Sequence, residues 1–335
     1  MAANKKITIA QIAEDTGVSP ATVSRALNHP ELVGKETLER ISESMRSLGY
    51  RGNVRTAARL NRSPLIVVNI PWLDNPFYAE IVRGIRMAAK MRQAELVVWW
   101  GTPDAKNIEG FCHTIDRCAA DGVITLAPLS LEALQQIQRK APVVQCTECH
   151  MDAGVPYVTV DDAAIGRAAL DHLIGCGCET LAIVSGPHAY KFTRERLKGF
   201  LDAAHARGLE VRRDRILQMP DISYDLAFSA VCHMLDASDV PDGIFTCSDT
   251  FGAAVIRAAA QAGLKVPDDL MIVSVDNVDI ARMTTPTLTT VNQPRYQMGF
   301  SACKMLMEIM DGTEGATSSM VFDTELVVRE STVRR

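Results

Sequence analysis

An α/β protein with a small all-helical head and a body of two parallel-sheet lobes is predicted by three features of the 335-residue sequence. The first is a run of helix-period positions, broken by turn residues, over positions 7 to 49. The second is a change of pattern after Arg62, where short apolar runs alternate with helix-length segments. The third is charge: residues 1 to 62 carry ten basic and six acidic side chains, a net of +4, in a chain of net −5, which leaves −9 on the remainder. A basic head on an acidic body is the asymmetry expected when only the head meets phosphate.

The head begins with Ile9, Ile12, Ala13 and Thr16 on one face of a first helix. Gly17 tolerates the positive φ of a helix end, Val18 plugs the angle to the next helix, and Ser19 with Pro20 supplies an N-cap and a first-turn residue. In the second helix Val23, Ala26 and Leu27 form the buried side, so Pro20, Ala21, Thr22, Ser24 and Arg25 face outward near its start. Leu38, Ile41, Met45 and Leu48 give a third helix that Gly49 closes. This is the layout of a DNA-reading helix-turn-helix. The competing reading is a helical hairpin with no ligand, and the local charge favours DNA.

Length suits a head plus two mid-sized lobes, and the core needs no covalent staples. Nine cysteines, a polar Met1 to Lys6 start without an apolar targeting region, and the absence of membrane-length apolar runs lead us to expect a reducing cytoplasm and free thiols. Cys146-Thr-Glu-Cys149-His150 has haem-attachment spacing, but that chemistry takes place outside the cytoplasm. Neither it nor Cys176-Gly177-Cys178 has the second pair or the histidines of a zinc site. No cofactor and no metal are expected.

In the body, Leu65 to Ile70 is an apolar run of the buried parallel kind, Glu80 to Arg92 reads as a helix, and Ala94 to Trp100 as the next strand. Gly122 to Leu126, Val143 to Cys146, Leu181 to Val184, Gly243 to Cys247 and Met271 to Val275 continue the strands. Ala164 to Ile174, Arg194 to Gly208 and Thr250 to Gly263 are among the intervening helices. The strands are too many for one sheet, so two similar lobes with a ligand between their strand ends are expected. A dinucleotide site is excluded by order, because Gly175-Cys176-Gly177 follows a helix and precedes a strand. No Walker sequence, nucleophile elbow or two-histidine zinc motif is present. Adjacent carboxylates at Asp161-Asp162 and Asp268-Asp269 are expected to point apart or to cap helices.

Taken together, GVSPATVSRALN (17 to 28), LGY (48 to 50), DNPFYAEIVRGI (74 to 85), ADGVI (120 to 124), RERLKGF (194 to 200), GLKVPDDLMIVSVDN (263 to 277) and TPTLTTVNQPRYQMG (285 to 299) resemble the lactose-repressor (LacI/GalR) family of transcription regulators nearly end to end. The last of these and the closing ELVVREST (325 to 332) look most similar to the cytidine-repressor branch. The resemblance implies a helix-turn-helix DNA-binding domain at 1–49, a hinge at 50–63 and a two-lobed, periplasmic-binding-protein-like effector domain at 64–335. It places the first lobe at about 64–162 and 293–321, and the second at about 163–292 and 322–335. It also implies a homodimer on an approximately palindromic double-stranded operator, a small-molecule effector and no membrane partner. With no apolar heptad run after ELVVREST in this sequence, a dimer and not a tetramer is the expectation.

By the same resemblance Pro20, Ala21 and Arg25 are the base-reading set. Only Arg25 offers a bidentate donor, suited to guanine, while Ala21 suits a thymine methyl; a phosphate contact or surface ion pair is the competing role for Arg25. Thr8, Ser19, Thr22, Ser24 and Asn28 are cast as phosphate and backbone anchors. The hinge departs from the family pattern: Gly52 stands for the usual proline, and Tyr50 lies ten residues before Leu60, one more than usual. Leu60 is the candidate minor-groove wedge, against an ordinary hinge-helix residue.

For the effector, Phe77 and Tyr78 resemble the aromatic pair that borders the ligand in purine-binding relatives, with plain core packing as the alternative. Arg196 and Asp276 are the expected polar anchors, a forked donor and an acceptor, against a buried structural ion pair. Ser248 and Asp161 rank second. Cys146 and Ile222 mark expected effector positions where this chain departs from its relatives: Cys146 replaces a carboxylate or amide, and Ile222 removes a stacking face. The expectation is a repressor controlled by a nucleoside or sugar and not an enzyme. The alternative is a cytoplasmic enzyme or binding protein acting on such a molecule, which leaves the basic head unexplained.

Overall fold

The computed structural model describes residues 8–28, 32–48, 62–236, 239–313 and 318–334. The chain divides into a head, residues 1–65 with the short turn 93–95, and a body of residues 66–92 and 96–335. Expected hinge positions 51–61, Leu60 among them, lie outside the described residues, as do Gly49 and Tyr50.

The head is three helices, α1 (Ile9–Thr16), α2 (Pro20–Asn28) and α3 (Lys35–Ser47). Thr8 and Gln11 form a reciprocal capping box at the start of α1. Gly17 ends it at φ 67, a conformation a side chain would strain. Ser19 then caps α2 by accepting the Thr22 N–H at 3.0 Å. Ile12, Ala13, Val23, Ala26, Ile41 and Met45 are the buried core, with Val18, Leu38 and Leu48 packed against it. Arg40 donates to the Thr16 carbonyl and the Ser44 hydroxyl to Asp15, which pins α3 to the end of α1. The side chains of Leu27 and Asn28 lie outside the described residues.

The body holds two six-stranded sheets. The first is ordered β11-β5-β4-β3-β1-β2, from β1 (Leu65–Ile70), β2 (Glu95–Trp100), β3 (Gly122–Thr125), β4 (Val143–Cys146), β5 (Tyr157–Val160) and β11 (Met320–Phe322). The second is ordered β12-β10-β9-β8-β6-β7, from β6 (Leu181–Ser185), β7 (Ile216–Gln218), β8 (Gly243–Thr246), β9 (Met271–Asp276), β10 (Thr289–Asn292) and β12 (Glu325–Val327). The two orders are the same doubly wound pattern, in which ligands gather at the carboxyl ends of the strands. One departure from an all-parallel expectation is β12, which pairs antiparallel with β10. The chain passes between sheets after β5, after β10 and after β11; the boundary expected after 321 falls inside β11.

Helices cover both sheets: α4 (Phe77–Met91), α5 (Ile108–Arg117), α6 (Leu131–Gln138), α7 (Asp162–Gly175), α8 (Lys191–Ala206), α9 (Tyr224–Leu235), α10 (Asp249–Gln261), α11 (Ile280–Met283) and α12 (Arg295–Met310). Each lobe contains one very close helix crossing built on a glycine pair. A Cβ at Gly84 of α4 would lie 2.1 Å from the Tyr296 carbonyl of α12, and one at Gly166 of α7 2.2 Å from the Arg196 carbonyl of α8. Gly299 and Gly199 answer them from the opposite helices, 2.0 Å and 2.1 Å from backbone oxygens. The second crossing fixes the helix that carries Arg196.

Four helices begin earlier than their periodicity predicts, α10 by the single residue Asp249, each where a polar side chain captures first-turn N–H groups. Asn75 accepts from Phe77 at 3.0 Å at the start of α4, and Asp161 accepts from Ala164 at 2.8 Å at the start of α7. Helix α8 is capped from far away: Glu148, after β4, accepts the N–H groups of Lys191 at 2.7 Å and Phe192 at 3.2 Å. All nine cysteines are free, and among the described residues no helix is long and apolar enough to cross a membrane.

Candidate functional site

On the head, Pro20, Ala21 and Arg25 are exposed while Val23 and Ala26 are buried, so the start of α2 presents one outer face. Thr22 and Ser24 are half-buried at its margins. Thr8 and Ser19 are exposed and sit at the N-termini of α1 and α2, where N–H groups and helix dipole favour an anion. Ser19 and Thr22 share a hydroxyl hydrogen bond of 2.8 Å that holds both near that end.

In the body, a cavity lies between the two sheets. Six of the residues expected around an effector line it: Phe77, Tyr78, Arg196, Ile222, Ser248 and Asp276. Tyr78 meets Phe77 edge-on, with ring centroids 5.2 Å apart, at the start of α4. Ser248 also caps α10 through the Phe251 N–H.

Two expected residues do not line the cavity. Cys146 is fully buried in the first lobe, where burial pushes its thiol up to about 12. Strand β4 ends at Cys146, and the next residue, Thr147, leaves the extended conformation at φ 71 and borders the cavity in its place. Asp161 is exposed and spends its carboxylate on the α7 cap and on Arg167 at 3.4 Å. Its neighbour Asp162 enters the site.

Asp162 organises the charges. One carboxylate oxygen accepts Arg196 Nε at 2.9 Å and the other Lys191 Nζ at 2.8 Å, while Glu195 takes the same Lys191 at 2.8 Å. Arg196 also donates from Nη1 to the Cys247 carbonyl at 2.8 Å and lies over the Phe192 ring, 4.9 Å from its centroid. Its guanidinium is therefore well satisfied, and Asp276 stands only at its edge, 3.9 Å from Nη1. The direct partner of Asp276 is Gln293, which donates at 2.9 Å. Burial raises the Asp276 pKa, the neighbouring Asp249 adds to the rise, and Arg196 and Arg295 oppose it. The structural ion pair weighed for Arg196 is thus real but runs to Asp162, leaving Asp276 short of donors in an aromatic-lined space. Such a carboxyl offers oxygen acceptors to a ligand's hydroxyl or N–H donors and, while it keeps its proton, an O–H donor as well.

Sequence reasoning passed over Asp162, Phe192 and Gln293. Asp162 was half of a noticed carboxylate pair, Phe192 lies one helical turn before Arg196, and Gln293 sits in a recognised segment, so a signal existed for each. The clasp beside the cavity carried no such signal. Trp72 stacks on Tyr190 at 4.4 Å, Thr102 Oγ1 meets the Tyr190 hydroxyl at 3.3 Å, and Glu148 caps α8, so each contact joins a first-lobe residue to the second lobe. Burial raises the Glu148 carboxyl to about 7, against the opposing pull of the two N–H groups.

Comparison with known proteins identifies both parts. Residues 8–53 match the profile of bacterial regulatory proteins of the lacI family, and residues 170–332 that of the periplasmic binding protein-like domain. The chain is 30% identical to the HTH-type transcriptional repressor CytR of Escherichia coli (strain K12) over 328 residues, 97% of this chain and 96% of that one. The fold is similar to that of a transcriptional regulator CelR–cellobiose complex, with TM-score 0.74 and 29% identity, covering 97% of this chain and 100% of that one. It is also similar to the lac repressor dimer bound to operator and the anti-inducer ONPF, with TM-score 0.75 and 24% identity over 98% of this chain and 100% of that one.

Proposed function

The chain belongs to the LacI family of bacterial regulatory proteins, DNA-binding regulators and not enzymes, and from that premise we propose that it is a repressor whose operator affinity is set by a nucleoside or sugar in the cleft. One observation carries the effector reading: a cavity at the carboxyl ends of two like-ordered sheets, lined by aromatic rings and by a carboxylate short of donors. Phe77, Tyr78 and Phe192 offer faces to a ring, and Asp276 with Gln293 addresses its polar groups. Asp162, the other carboxylate, is committed to Arg196 and Lys191 and is poorly placed for acid–base chemistry.

The head would act as half of a homodimer on an approximately palindromic operator in the cytoplasm, Arg25 reading a base and Thr8, Ser19, Thr22, Ser24 and Asn28 holding backbone. We assign the division at about residues 49 and 63, with Leu60 as the minor-groove wedge of the hinge. The CelR–cellobiose complex supports a sugar, and the likeness to CytR supports a cytidine-type nucleoside. Binding must favour one lobe arrangement over another to change the spacing of the heads.

A thermal-shift screen against nucleosides, nucleobases, sugars and sugar phosphates tests the reading, since a ligand of the folded state raises apparent stability by mass action. A neutral hydroxylated compound is expected to stabilise the protein and to lose that effect in Asp276→Ala. Stabilisation that survives Asp276→Ala removes that residue from the site.

A further inference from the structure

The Asp276 carboxylate reaches the cavity from a strained turn. Asp276 has φ 113 and Asn277 φ 53, values that side chains rarely adopt. Such a conformation persists only where its surroundings over-determine it, and here every polar group of Asn277 is held. Its N–H donates to Thr290 Oγ1 at 3.2 Å, and its carbonyl accepts Arg295 Nη2 at 3.0 Å. Its side-chain Nδ2 donates to Asn292 Oδ1 at 3.1 Å, and its Oδ1 accepts Arg329 Nη2 at 2.6 Å. The following N–H, on Val278, donates to the buried Asp249 at 2.8 Å.

Arg329 is itself anchored in the closing segment of the chain. Nη1 donates to the Leu288 carbonyl at 2.7 Å and its N–H to Thr289 Oγ1 at 2.8 Å. Glu330 and Ser331 beside it bind the backbone at Thr287 and Thr289. Arg295 opens α12, the first-lobe helix that follows the second crossing of the chain, and Gln293 in that crossing holds Asp276 directly.

We propose that Arg329 is a positioning residue for the cleft: by holding the Asn277 side chain it keeps the Asp276–Asn277 turn left-handed, so that the Asp276 carboxylate stays aimed into the cavity. Arg295 holds the same turn from the first lobe, which ties the aim of the carboxylate to the lobe arrangement. The inference rests on the effector reading above, yet its test uses no ligand, so the two fail separately. A compound screen without hits counts against the reading, and a carboxylate whose titration ignores Arg329 counts against the inference.

The test is urea unfolding of the full chain at several pH values between about 5 and 7.5, for Asp276→Asn, Arg329→Lys, Asn277→Ala and the double variant Arg329→Lys/Asp276→Asn. Arg196, Gln293, Asp249 and Arg295 face the carboxylate, and its raised pKa means that the folded state holds a proton the unfolded chain has released. The folding constant therefore falls as pH rises through this window, by up to about tenfold per pH unit from this group. Asp276→Asn removes that part of the fall. Arg329→Lys is expected to remove it too, because the released turn lets the carboxylate reach water, and Asp276→Asn then adds nothing. Asn277→Ala leaves the Arg329 bond to Leu288 in place and is expected to give the same loss with the closing segment docked. If Arg329→Lys and Asn277→Ala instead lower stability equally at every pH and keep the Asp276-dependent fall, the proposal is overturned.

Discussion

Trp72 of the first lobe lies nearly flat on Tyr190 of the second, ring centroids 4.4 Å apart and planes 22° from parallel. A stack of this kind contributes about 0.5–1.5 kcal/mol beyond its buried area, enough to shift an equilibrium between lobe arrangements several-fold. Tyr190→Ala also removes the hydroxyl that meets Thr102. We predict that this variant folds but opens its lobes, which small-angle scattering reads as a larger radius of gyration. Scattering identical to that of the parent protein contradicts a role for the stack in closure.

Glu148 gives the clasp a pH dependence. Its carboxyl is raised to about 7 by burial, above its ordinary value of 4.5, so its contribution to stability is full below the ordinary carboxylate range and is lost as pH rises through 7. The shift corresponds to roughly 3 kcal/mol between the two ends of that window. Glu148→Gln keeps one neutral acceptor for the two α8 N–H groups and is expected to remove the Glu148 part of the fall in stability between about pH 5 and 8, the Asp276 part remaining, measured by urea unfolding. A slope unchanged by the substitution means that other groups set it.

The crossing of α7 and α8 leaves no room for a methyl group at Gly166, since a Cβ there falls 2.2 Å from the Arg196 carbonyl. Gly166→Ala must push apart the helices that carry Asp162 and Arg196. The expected cost is about 3 kcal/mol, seen as a lower urea midpoint at unchanged slope. A loss below about 0.5 kcal/mol would show that the crossing yields easily.

On the head, Arg25 is the only residue of the exposed Pro20, Ala21 and Arg25 face with a charged donor. Arg25→Ala is predicted to weaken operator binding by about 1–3 kcal/mol and to relax preference at a single guanine, with a smaller effect on non-specific DNA. Leu60→Ala should likewise cost operator binding far more than non-specific binding. Equal losses on both DNAs would reassign either residue to backbone contact.

Much of this architecture is written locally. The head could be read because Ile12, Ala13, Val23, Ala26, Ile41 and Met45 repeat at helical spacing and Gly17 and Ser19 punctuate them. The lobes could be read because buried parallel strands are short continuous apolar runs. What the pattern hides is set by partners distant in sequence. Nothing near Lys191 reveals that Glu148 starts its helix, and nothing in Asp161-Asp162 tells which carboxylate caps and which enters the cavity until α8 brings Arg196 beside it. Cys146 was misplaced for a related reason: the residue that borders the cavity depends on where β4 ends, and the left-handed φ of Thr147 just beyond that end is not written in the apolar run.

The central claim is that the cleft controls the head. The direct measurement is the affinity of the full-length protein for a palindromic operator selected from genomic DNA, with and without the neutral compound that most raises its thermal stability, beside the Asp276→Ala variant. The account predicts at least about a fivefold change in affinity on adding the compound, in one direction, and none in Asp276→Ala, whose affinity without compound stays that of the parent. An operator affinity indifferent to every stabilising compound, or a response that persists in Asp276→Ala, would contradict it.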